Sequence, residues 1–452
     1  MASERIESAS FWHDTLEPGD DLAPRPPLAG DADVDVAIVG AGFTGLWTAH
    51  SLLRADPSIR VTIFERETAG FGASGRNGGW CVGDFGGPVS AVERKGGPGS
   101  VDAMFREMYR SVDDVGSVVA AAGIDCGFHK GGALYVATNS GQMRRVRHHY
   151  QGLLRYGQDD AWQLLDASAA KDKVNMAGIR GALFTPHAAA LHPARLARGL
   201  AREVERLGGV IYEGTRIKHI EKRKLAAEGG TVRADVIVRA TEAYTSTIDC
   251  QEREVLALGN YMIATEPIDD AMWEEIGLAD RELFELSAIL LGYGQRTSDG
   301  RIAWGGLGAP TWWKGRIPQT PMRNVEMEHR LRRALGEMFP PLKEIGVSHH
   351  WGGVLGVPRD LLPGVGYDRE LGFAWGGGYT GQGVAAANAA GRTLADLIRG
   401  EESELTSLPW VGHRSKKWEP EPLQWMGVHA VTAGARVVDE AERAVAGLRG
   451  RA

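Results

Sequence analysis

Three closely spaced glycines between two apolar runs constrain this chain more than any other feature of its sequence. They are Gly40, Gly42 and Gly45, and the second apolar run ends at Glu65, twenty residues beyond Gly45. The pattern predicts a strand, a tight turn, a helix and a second strand that ends in an acid.

Each residue of this motif answers one need of a dinucleotide ligand. Gly40 permits the turn, Gly42 lets the backbone approach phosphates, and Gly45 lets the helix pack closely on the strand. The amides of the helix N-terminus face the phosphate charge, and Glu65 accepts hydrogen bonds from a ribose. The sequence therefore predicts a dinucleotide site, the alternative being a βαβ core without a ligand.

Composition narrows the class of protein. Of 452 residues, 61 are glycine, nearly twice the usual share of about 7%. The length favours two domains, and the net charge of −7 argues against a nucleic-acid partner. Neither a signal-peptide layout nor an apolar run of about 20 residues is present, so we expect a cytoplasmic protein with no membrane partner.

Metal binding is not expected. The three cysteines, Cys81, Cys126 and Cys250, are widely spaced and odd in number, which fits neither a disulfide framework nor a metal site.

A second glycine-rich segment, residues 69–79, directly follows Glu65. Each glycine loses extra entropy on ordering, so such a loop is costly unless its backbone wraps a flat polar ligand. Ser74, Arg76 and Asn77 add hydrogen-bond donors. A flexible surface linker is the alternative.

A third segment, residues 375–388, again indicates a strand, a glycine loop and a helix. A helix N-terminus at this loop would stabilise negative charge that develops on a bound ring system. A second phosphate site or an ordinary turn would give the same pattern.

Together these three segments resemble the D-amino-acid oxidase/sarcosine oxidase superfamily of flavoproteins, and more closely its γ-glutamylputrescine oxidase-like amine oxidases. Further similar stretches are residues 124–126, 131–138, 191–193, 261–267, 299–301 and 418–425. The resemblance implies an α/β fold in which a Rossmann-type, glutathione-reductase-like FAD-binding domain is interleaved with an α+β substrate domain built on an antiparallel sheet.

The expected domain boundaries follow from the positions of these segments. The FAD-binding domain is predicted to comprise residues 33–85, 175–250 and 346–400, and the substrate domain residues 86–174 and 251–345. Residues 1–32 form a leader with a possible aromatic anchor at Phe11 and Trp12, and residues 401–452 form a tail.

The resemblance also implies the cofactor-binding residues. They are Gly40, Ala41, Gly42, Phe43, Thr44, Gly45, Glu65, Arg66, Gly72, Ala73, Ser74, Arg76, Asn77, Gly78, Gly79, Ile217, Ala240, Thr241, Gly353, Gly378, Tyr379, Thr380, Gly381, Gln382, Gly383 and Val384.

The chain departs from the family pattern at three places. Gln382 stands where relatives often have histidine, and glutamine cannot titrate. Residues 351–366 contain no cysteine and the first glycine loop no histidine, so we expect non-covalent FAD. Residues 301–306 lack the central lysine that helps sarcosine oxidases react with O2, which leaves the electron acceptor open.

The resemblance implies oxidation of a C–N bond in a primary or secondary amine, of amino-acid or polyamine-derivative type, by hydride transfer to flavin N5. The imine is then hydrolysed and O2 is reduced to H2O2. A dehydrogenase of the same fold with another acceptor is the alternative, and a flavin-binding sensor or assembly subunit is the non-enzyme alternative. The expected partners are a small amine and O2, whereas the oligomeric state stays open.

Residues expected at the substrate pocket combine aromatic rings with a few polar groups. They are Tyr261, Gln382, Trp304, Tyr379, Arg296 and His350, with Tyr293 as a further candidate. Alternatives stay open for several: Tyr261 is equally a core tyrosine, Trp304 and Trp351 are equally domain-interface packing, and Arg296 either clamps a carboxylate or forms a surface ion pair.

Overall fold

The computed structural model describes residues 10–16, 20, 23–308, 310–313, 317–318 and 322–449. The strands are β1 Ala32–Val39, β2 Val61–Phe64, β3 Trp80–Val82, β4 Ala133–Ala137, β5 Gln163–Asp166, β6 Gly181–Thr185, β7 Ala188–Ala190, β8 Val210–Tyr212, β9 Ile217–Glu221, β10 Lys224–Ala227, β11 Gly230–Arg239, β12 Leu256–Thr265, β13 Leu283–Leu286, β14 Gly292–Arg296, β15 Ile302–Gly306, β16 Val347–Val357, β17 Gly364–Asp368 and β18 Phe373–Gly377.

Helices cover much of the remaining chain. They are α1 Phe11–Asp14, α2 Phe43–Ala55, α3 Val89–Gly96, α4 Ser100–Ala121, α5 Ser140–Leu154, α6 Ala167–Lys173, α7 Pro193–Arg206, α8 Asp270–Ile276, α9 Val325–Met338, α10 Gly383–Arg399 and α11 Leu423–Arg449. Within the described ranges, no helix is both long and apolar enough to cross a membrane.

The first sheet has a parallel centre. Its order is β17-β18-β11-β1-β2-β8, and β1 runs parallel to both β2 and β11. The antiparallel hairpin β9–β10 joins through β11, and β17 is antiparallel to β18. Central parallel strands are covered on both faces, which explains why Val36–Val39 is an unbroken apolar run.

Helices cover one face of this sheet. α2 and α10 pack so closely that a Cβ on Gly391 would lie 2.6 Å from the backbone of Trp47. A separate apolar cluster that includes Leu28, Phe64 and Leu225 covers the other face beneath the β9–β10 hairpin. The predicted Rossmann-type unit is thus a sheet with helices on one side and a hairpin on the other.

The second sheet has the order β16-β12-β15-β14-β13-β4-β6-β5. Its pairs are antiparallel except β13–β4, which is parallel, so the sheet is mixed rather than purely antiparallel. β6 and β16 belong to it, although both fall inside segments that the sequence assigned to the FAD-binding domain. We propose that the chain passes between the two domains after β6 and after β16, later than residues 175 and 346.

The predicted aromatic anchor is buried. Phe11 and Trp12 on α1 are each 1% exposed and pack against Trp351 of β16, with ring centroids 6.2 and 6.1 Å apart. Trp12 Nε1 also donates to the Asn77 carbonyl oxygen at 2.8 Å. This part of the leader joins the two sheets.

We predict that Phe284→Ala destabilises the second sheet by about 3–5 kcal/mol, because it removes a fully buried ring and leaves a cavity. Phe284 stacks on Trp304 at 5.7 Å and meets Phe339 edge-on at 5.6 Å. Urea unfolding measures the loss. Leu371→Ala, at a side chain 42% exposed, should change stability by well under 1 kcal/mol, and equal losses in both variants would contradict the packing argument.

Candidate active site

The turn between β1 and α2 takes the conformation that its glycines predict. Gly40 has φ +103°, and a Cβ there would lie 2.6 Å from the Ala240 carbonyl oxygen. A Cβ on Gly45 would lie 2.0 Å from the Gly40 carbonyl oxygen. Side chains at these positions would force the turn apart, so the glycines keep the amides at the N-terminus of α2 beside the end of β11.

Glu65 is held in place at the end of β2. One carboxylate oxygen accepts the Ala41 N–H at 2.8 Å and the other accepts the Glu67 N–H at 2.9 Å. Burial raises the pKa of Glu65, while these two N–H groups and the Arg66 charge oppose the rise. The fixed carboxylate borders a cleft and keeps lone pairs for a further donor.

This cleft is open to solvent, and the space between its walls and up to its mouth is about 890 Å³. Residues from six separate stretches of chain line it. The lining residues that the sequence predicted are Gly40, Gly42, Phe43, Thr44, Glu65, Arg66, Gly72, Ala73, Ser74, Ile217, Ala240 and Thr241. Those that it missed include Phe71, Thr215, Arg216, Glu242, Tyr244, Thr247 and Ile248.

The first glycine loop, residues 72–79, lies between the cleft and the second sheet. Ser74 Oγ accepts the Phe43 N–H at 2.8 Å, which ties the loop to the N-terminus of α2. Asn77 braces it by donating to the carbonyl oxygens of Ala73 and Ser74 and accepting from the Gly79 N–H. At its far end, Gly78 lies against the ring of Tyr293.

Arg76 on this loop is a buried cation whose charge no carboxylate among the described residues balances at ion-pair distance. It is 6% exposed, its guanidinium carbon lies 4.2 Å from the centre of the Phe71 ring, and its Nε has no hydrogen-bond partner in the described structure. Burial lowers the pKa of Arg76. A buried cation of this kind favours an anionic ligand beside the loop.

The second glycine loop, residues 377–383, reaches the same region from β18. Tyr379 is buried, and its hydroxyl lies 2.8 Å from the Thr44 hydroxyl on the first turn of α2. Gln382 immediately precedes α10, so this helix N-terminus opens beside the loop. Gly353 on β16 lies near the first loop, where a Cβ would be 3.4 Å from the Arg76 Cβ.

Glu242 was not predicted from the sequence, yet it links three segments. Its carboxylate accepts N–H groups of Gly378 at 3.1 Å, Tyr379 at 3.4 Å and Gly356 at 2.6 Å, while its own backbone has φ +44°. Burial raises the pKa of Glu242 to about 7, against the effect of these donors. It separates the cleft from a second one of about 840 Å³.

Strand alternation determines which predicted pocket residues face the glycine loops. Tyr261 and His350, with rings 5.9 Å apart, point to the side of the second sheet covered by α8 and α9, where His350 lies 3.3 Å from Glu328 of α9. Trp304 is fully buried on the same side, and the Arg296 guanidinium lies 4.1 Å over the Trp273 ring of α8. These four side chains therefore lie on the face of the sheet opposite to the glycine loops.

The neighbouring positions on the same strands face the first glycine loop instead. They include Met262, Tyr293, Gln295 and Trp351. Gln295 Nε2 donates to the carbonyl oxygens of Gly78 at 2.6 Å and Leu191 at 3.0 Å, and Trp351 Nε1 donates to that of Arg76 at 2.9 Å. Of the predicted pocket residues on this sheet, Tyr293 is the one that lies on the face toward the first glycine loop.

Residues 35–397 match the family described as FAD dependent oxidoreductase. The chain belongs to this family. The γ-glutamylputrescine oxidoreductase of Escherichia coli K12 is 28% identical over 399 residues, or 86% of this chain and 89% of that protein.

Two solved structures share the fold. Glycine oxidase from Geobacillus kaustophilus superposes with a TM-score of 0.71 at 20% identity and covers 85% of this chain and 100% of its own. L-proline dehydrogenase from P. horikoshii gives 0.67 at 18% identity and covers 85% of this chain and 98% of its own. The residues of the cleft fit FAD, since glycine turns and helix amides surround space for an anionic dinucleotide, and Arg76 lies behind Phe71 of its wall.

We predict that Glu65→Gln lowers the affinity for FAD roughly 10- to 100-fold, because charged hydrogen bonds contribute about 1.5–3 kcal/mol. The NH2 group of the glutamine would also face one of the two backbone N–H donors, and two donors cannot form a hydrogen bond with each other. Flavin fluorescence on titration of the apoprotein measures the constant. Glu67→Gln is the matched control, since Glu67 makes a partly exposed ion pair with Arg66 at 3.3 Å; an equal loss in both would contradict a role specific to Glu65.

We predict that Glu242 makes the FAD-free protein less stable as the pH rises from about 4.5 to about 7, the unfolded and folded pKa values of this group. Between these two pH values the folded protein keeps a proton that the unfolded chain loses. The contribution of Glu242 to the free energy of unfolding therefore falls by about 3 kcal/mol. Urea unfolding of wild type and Glu242→Gln at pH 5 and pH 8 measures the difference.

The stability of the wild type relative to Glu242→Gln should therefore be greater at pH 5 than at pH 8. A difference that is the same at both pH values would contradict the prediction. The exposed Glu344→Gln is the control and should give no pH-dependent difference.

Proposed function

We propose that the protein oxidises a primary or secondary amine with FAD as its non-covalent cofactor, and that O2 accepts the electrons. The observation that carries the proposal is the contact of Tyr293 with Gly78, where an aromatic sheet face meets the loop that continues from the FAD cleft. The resemblance to γ-glutamylputrescine oxidoreductase and to glycine oxidase supports an amine substrate.

The residues that would hold FAD divide by the part of the cofactor they suit. The α2 amides suit its diphosphate, and Glu65 suits a ribose hydroxyl. The loops 72–79 and 377–383 would enclose the ring system, and the amides at the α10 N-terminus would stabilise negative charge that develops on it. When bound, FAD supplies a two-electron acceptor for hydride from the carbon next to the amine nitrogen.

The protein's own task at the substrate is to select the neutral amine and exclude water. Trp80, Tyr293, Met262 and Trp351 make the face beside Gly78 largely apolar. Burial against such side chains disfavours the ammonium form and lowers the pKa of a bound amine. A neutral amine holds the lone pair that assists hydride departure, so no strongly basic side chain is required.

The polar groups of the second glycine loop orient rather than titrate. The Tyr379 hydroxyl is fixed by Thr44, and burial raises its pKa well above the usual range, so it stays protonated at physiological pH. Gln382 can donate and accept hydrogen bonds but cannot serve as a base. Hydrolysis of the imine product then needs only water once the cleft opens.

A dehydrogenase is the second candidate, and a specific observation favours it. β15, Ile302–Gly306, contains no lysine, and relatives with this fold include L-proline dehydrogenase as well as glycine oxidase. Peroxide yield separates the two: an oxidase gives about one H2O2 per amine consumed, whereas a dehydrogenase gives little and needs an added quinone or dye.

We predict that one or more amines bleach the bound flavin in the absence of O2, because substrate oxidation and flavin reduction are one step. A panel of alkyl amines, diamines and N-methyl amino acids, followed by absorbance near the oxidised-flavin band, measures it. Acid precipitation should release the yellow chromophore into the supernatant. A flavin that no amine bleaches would refute amine oxidation, and a flavin that stays with the pellet would refute non-covalent binding.

A further inference from the structure

One row of side chains crosses the second sheet on the face toward the glycine loops. The strand registers place Tyr135 of β4, Glu285 of β13, Tyr293 of β14, Met262 of β12 and Trp351 of β16 side by side, with Gly305 of β15 between Tyr293 and Met262. Tyr293 is the member that touches Gly78. Glu285 is therefore one strand away, about 5 Å along the sheet, from the proposed oxidation site.

Glu285 is a partly buried carboxylate without a partner. No described residue donates a hydrogen bond to it or forms an ion pair with it, and none of the positions in its row is arginine or lysine. Burial and the charge of Asp84 raise the pKa of Glu285 to about 8. An uncompensated carboxylate at this depth is unfavourable in the empty protein.

Asp84 brings a second carboxylate to the same place from the segment after β3. Its side chain accepts the N–H of Phe85 at 2.7 Å, and burial raises its pKa to about 6. Two residues later, a Cβ on Gly86 would lie 2.2 Å from the Tyr379 carbonyl oxygen. The acid pair thus lies between the sheet face and the second glycine loop.

Aromatic groups around the acids give an independent indication of a ligand. The Tyr135 hydroxyl is buried without a hydrogen-bond partner in the described structure, on a side chain only 6% exposed. The charges of Asp84 and Glu285 both act on this hydroxyl. Trp80 lies edge-on to Tyr135 at 6.4 Å and to Tyr293 at 5.8 Å. Aromatic rings beside carboxylates are the setting that organic cations prefer.

We propose that Asp84 and Glu285, with Tyr135 and Trp80, bind a second cationic group of the substrate, which is a diamine or polyamine-type chain. This inference rests on the proposed amine oxidation and specifies its substrate. A substrate anchored by a carboxylate would meet two acids here and no cation in the row. The distal ammonium instead meets the acid pair, which carries about one negative charge near neutral pH while Glu285 keeps its proton, and it gives the Tyr135 hydroxyl an N–H donor, while the other amine lies beside Tyr293.

The first test compares two amines of equal length on the holoenzyme, 1,5-diaminopentane and n-pentylamine. Anaerobic flavin bleaching at increasing concentration gives a dissociation constant and a limiting rate for each. Glu285→Gln and Asp84→Asn should each raise the constant for the diamine at least tenfold and change that for the monoamine less than twofold. Glu328→Gln, on the opposite side of the same sheet, should change neither.

The second test measures binding without oxidation. Pentyltrimethylammonium carries a permanent cation and no amine lone pair, so calorimetric titration of the oxidised holoenzyme reports the cation site alone. Wild type should bind it, and Glu285→Gln should weaken binding at least tenfold while retaining flavin and the melting temperature of wild type.

The outcomes separate the two proposals. Bleaching by amines with no difference between diamine and monoamine in the variants would overturn the cation site and leave amine oxidation standing. Binding of the quaternary cation that depends on Glu285, together with a flavin that no amine bleaches, would retain the site and refute the oxidation. Equal weakening of both amines in Glu285→Gln would also overturn the cation site.

Discussion

The close approach of Gly40 to Ala240 is the constraint on which the rest of the site depends. β1 and β11 run parallel and end together. A Cβ on Gly40 would lie 2.6 Å from the Ala240 carbonyl oxygen, so this position has no room for a side chain. Because β2 lies on the other side of β1, Glu65 reaches the same edge of the sheet. Ligands of parallel α/β sheets bind at this carboxyl edge, and the large cleft lies there.

The first glycine loop transmits this geometry to the second sheet. A chain so rich in glycine loses much entropy when it becomes ordered, yet three side chains hold its carbonyl groups. Trp351 donates to Arg76, Trp12 to Asn77, and Gln295 to Gly78. Since these donors come from β16, α1 and β14, the loop fixes the second sheet relative to the cofactor cleft, and the sheet in turn keeps the loop in one conformation.

The parts of the site that depend on local geometry were predictable from the sequence, and those that depend on strand register were not. Gly40, Gly45 and Glu65 lie within 26 residues, so their spacing alone specifies the turn and the acid after β2. On β12, by contrast, a shift of one residue exchanges the two faces of the strand. Tyr261 is the more conspicuous side chain, but Met262 is the one that faces the loop.

Glu242 shows a second limit of sequence reasoning. Its partners, Gly356 and Gly378, lie more than 110 residues away along the chain, and only the pairing of β11 with β18 and the position of β16 bring them to it. No local pattern marks an acid after Ala240 and Thr241 as the link between these segments. Phe11 and Trp12 were recognisable as an anchor from their aromatic character, whereas their docking surface on Trp351 required the fold.

The two ends of the site hold buried groups of opposite kind, a guanidinium at one end and two acids at the other. Arg76 and the α2 amides leave positive charge beside the cleft, whereas Asp84 and Glu285 form an acid pair beside the sheet face that has no ion-pair partner among the described residues. Each imbalance is unfavourable in the empty protein, since burial disfavours unpaired charge. If the proposals hold, an anionic cofactor and a cationic substrate group offset both, and each ligand stabilises the folded chain as it binds. The same cost of burying an unpaired group makes the site selective among ligands, because a ligand without the matching charge leaves one carboxylate or guanidinium unpaired.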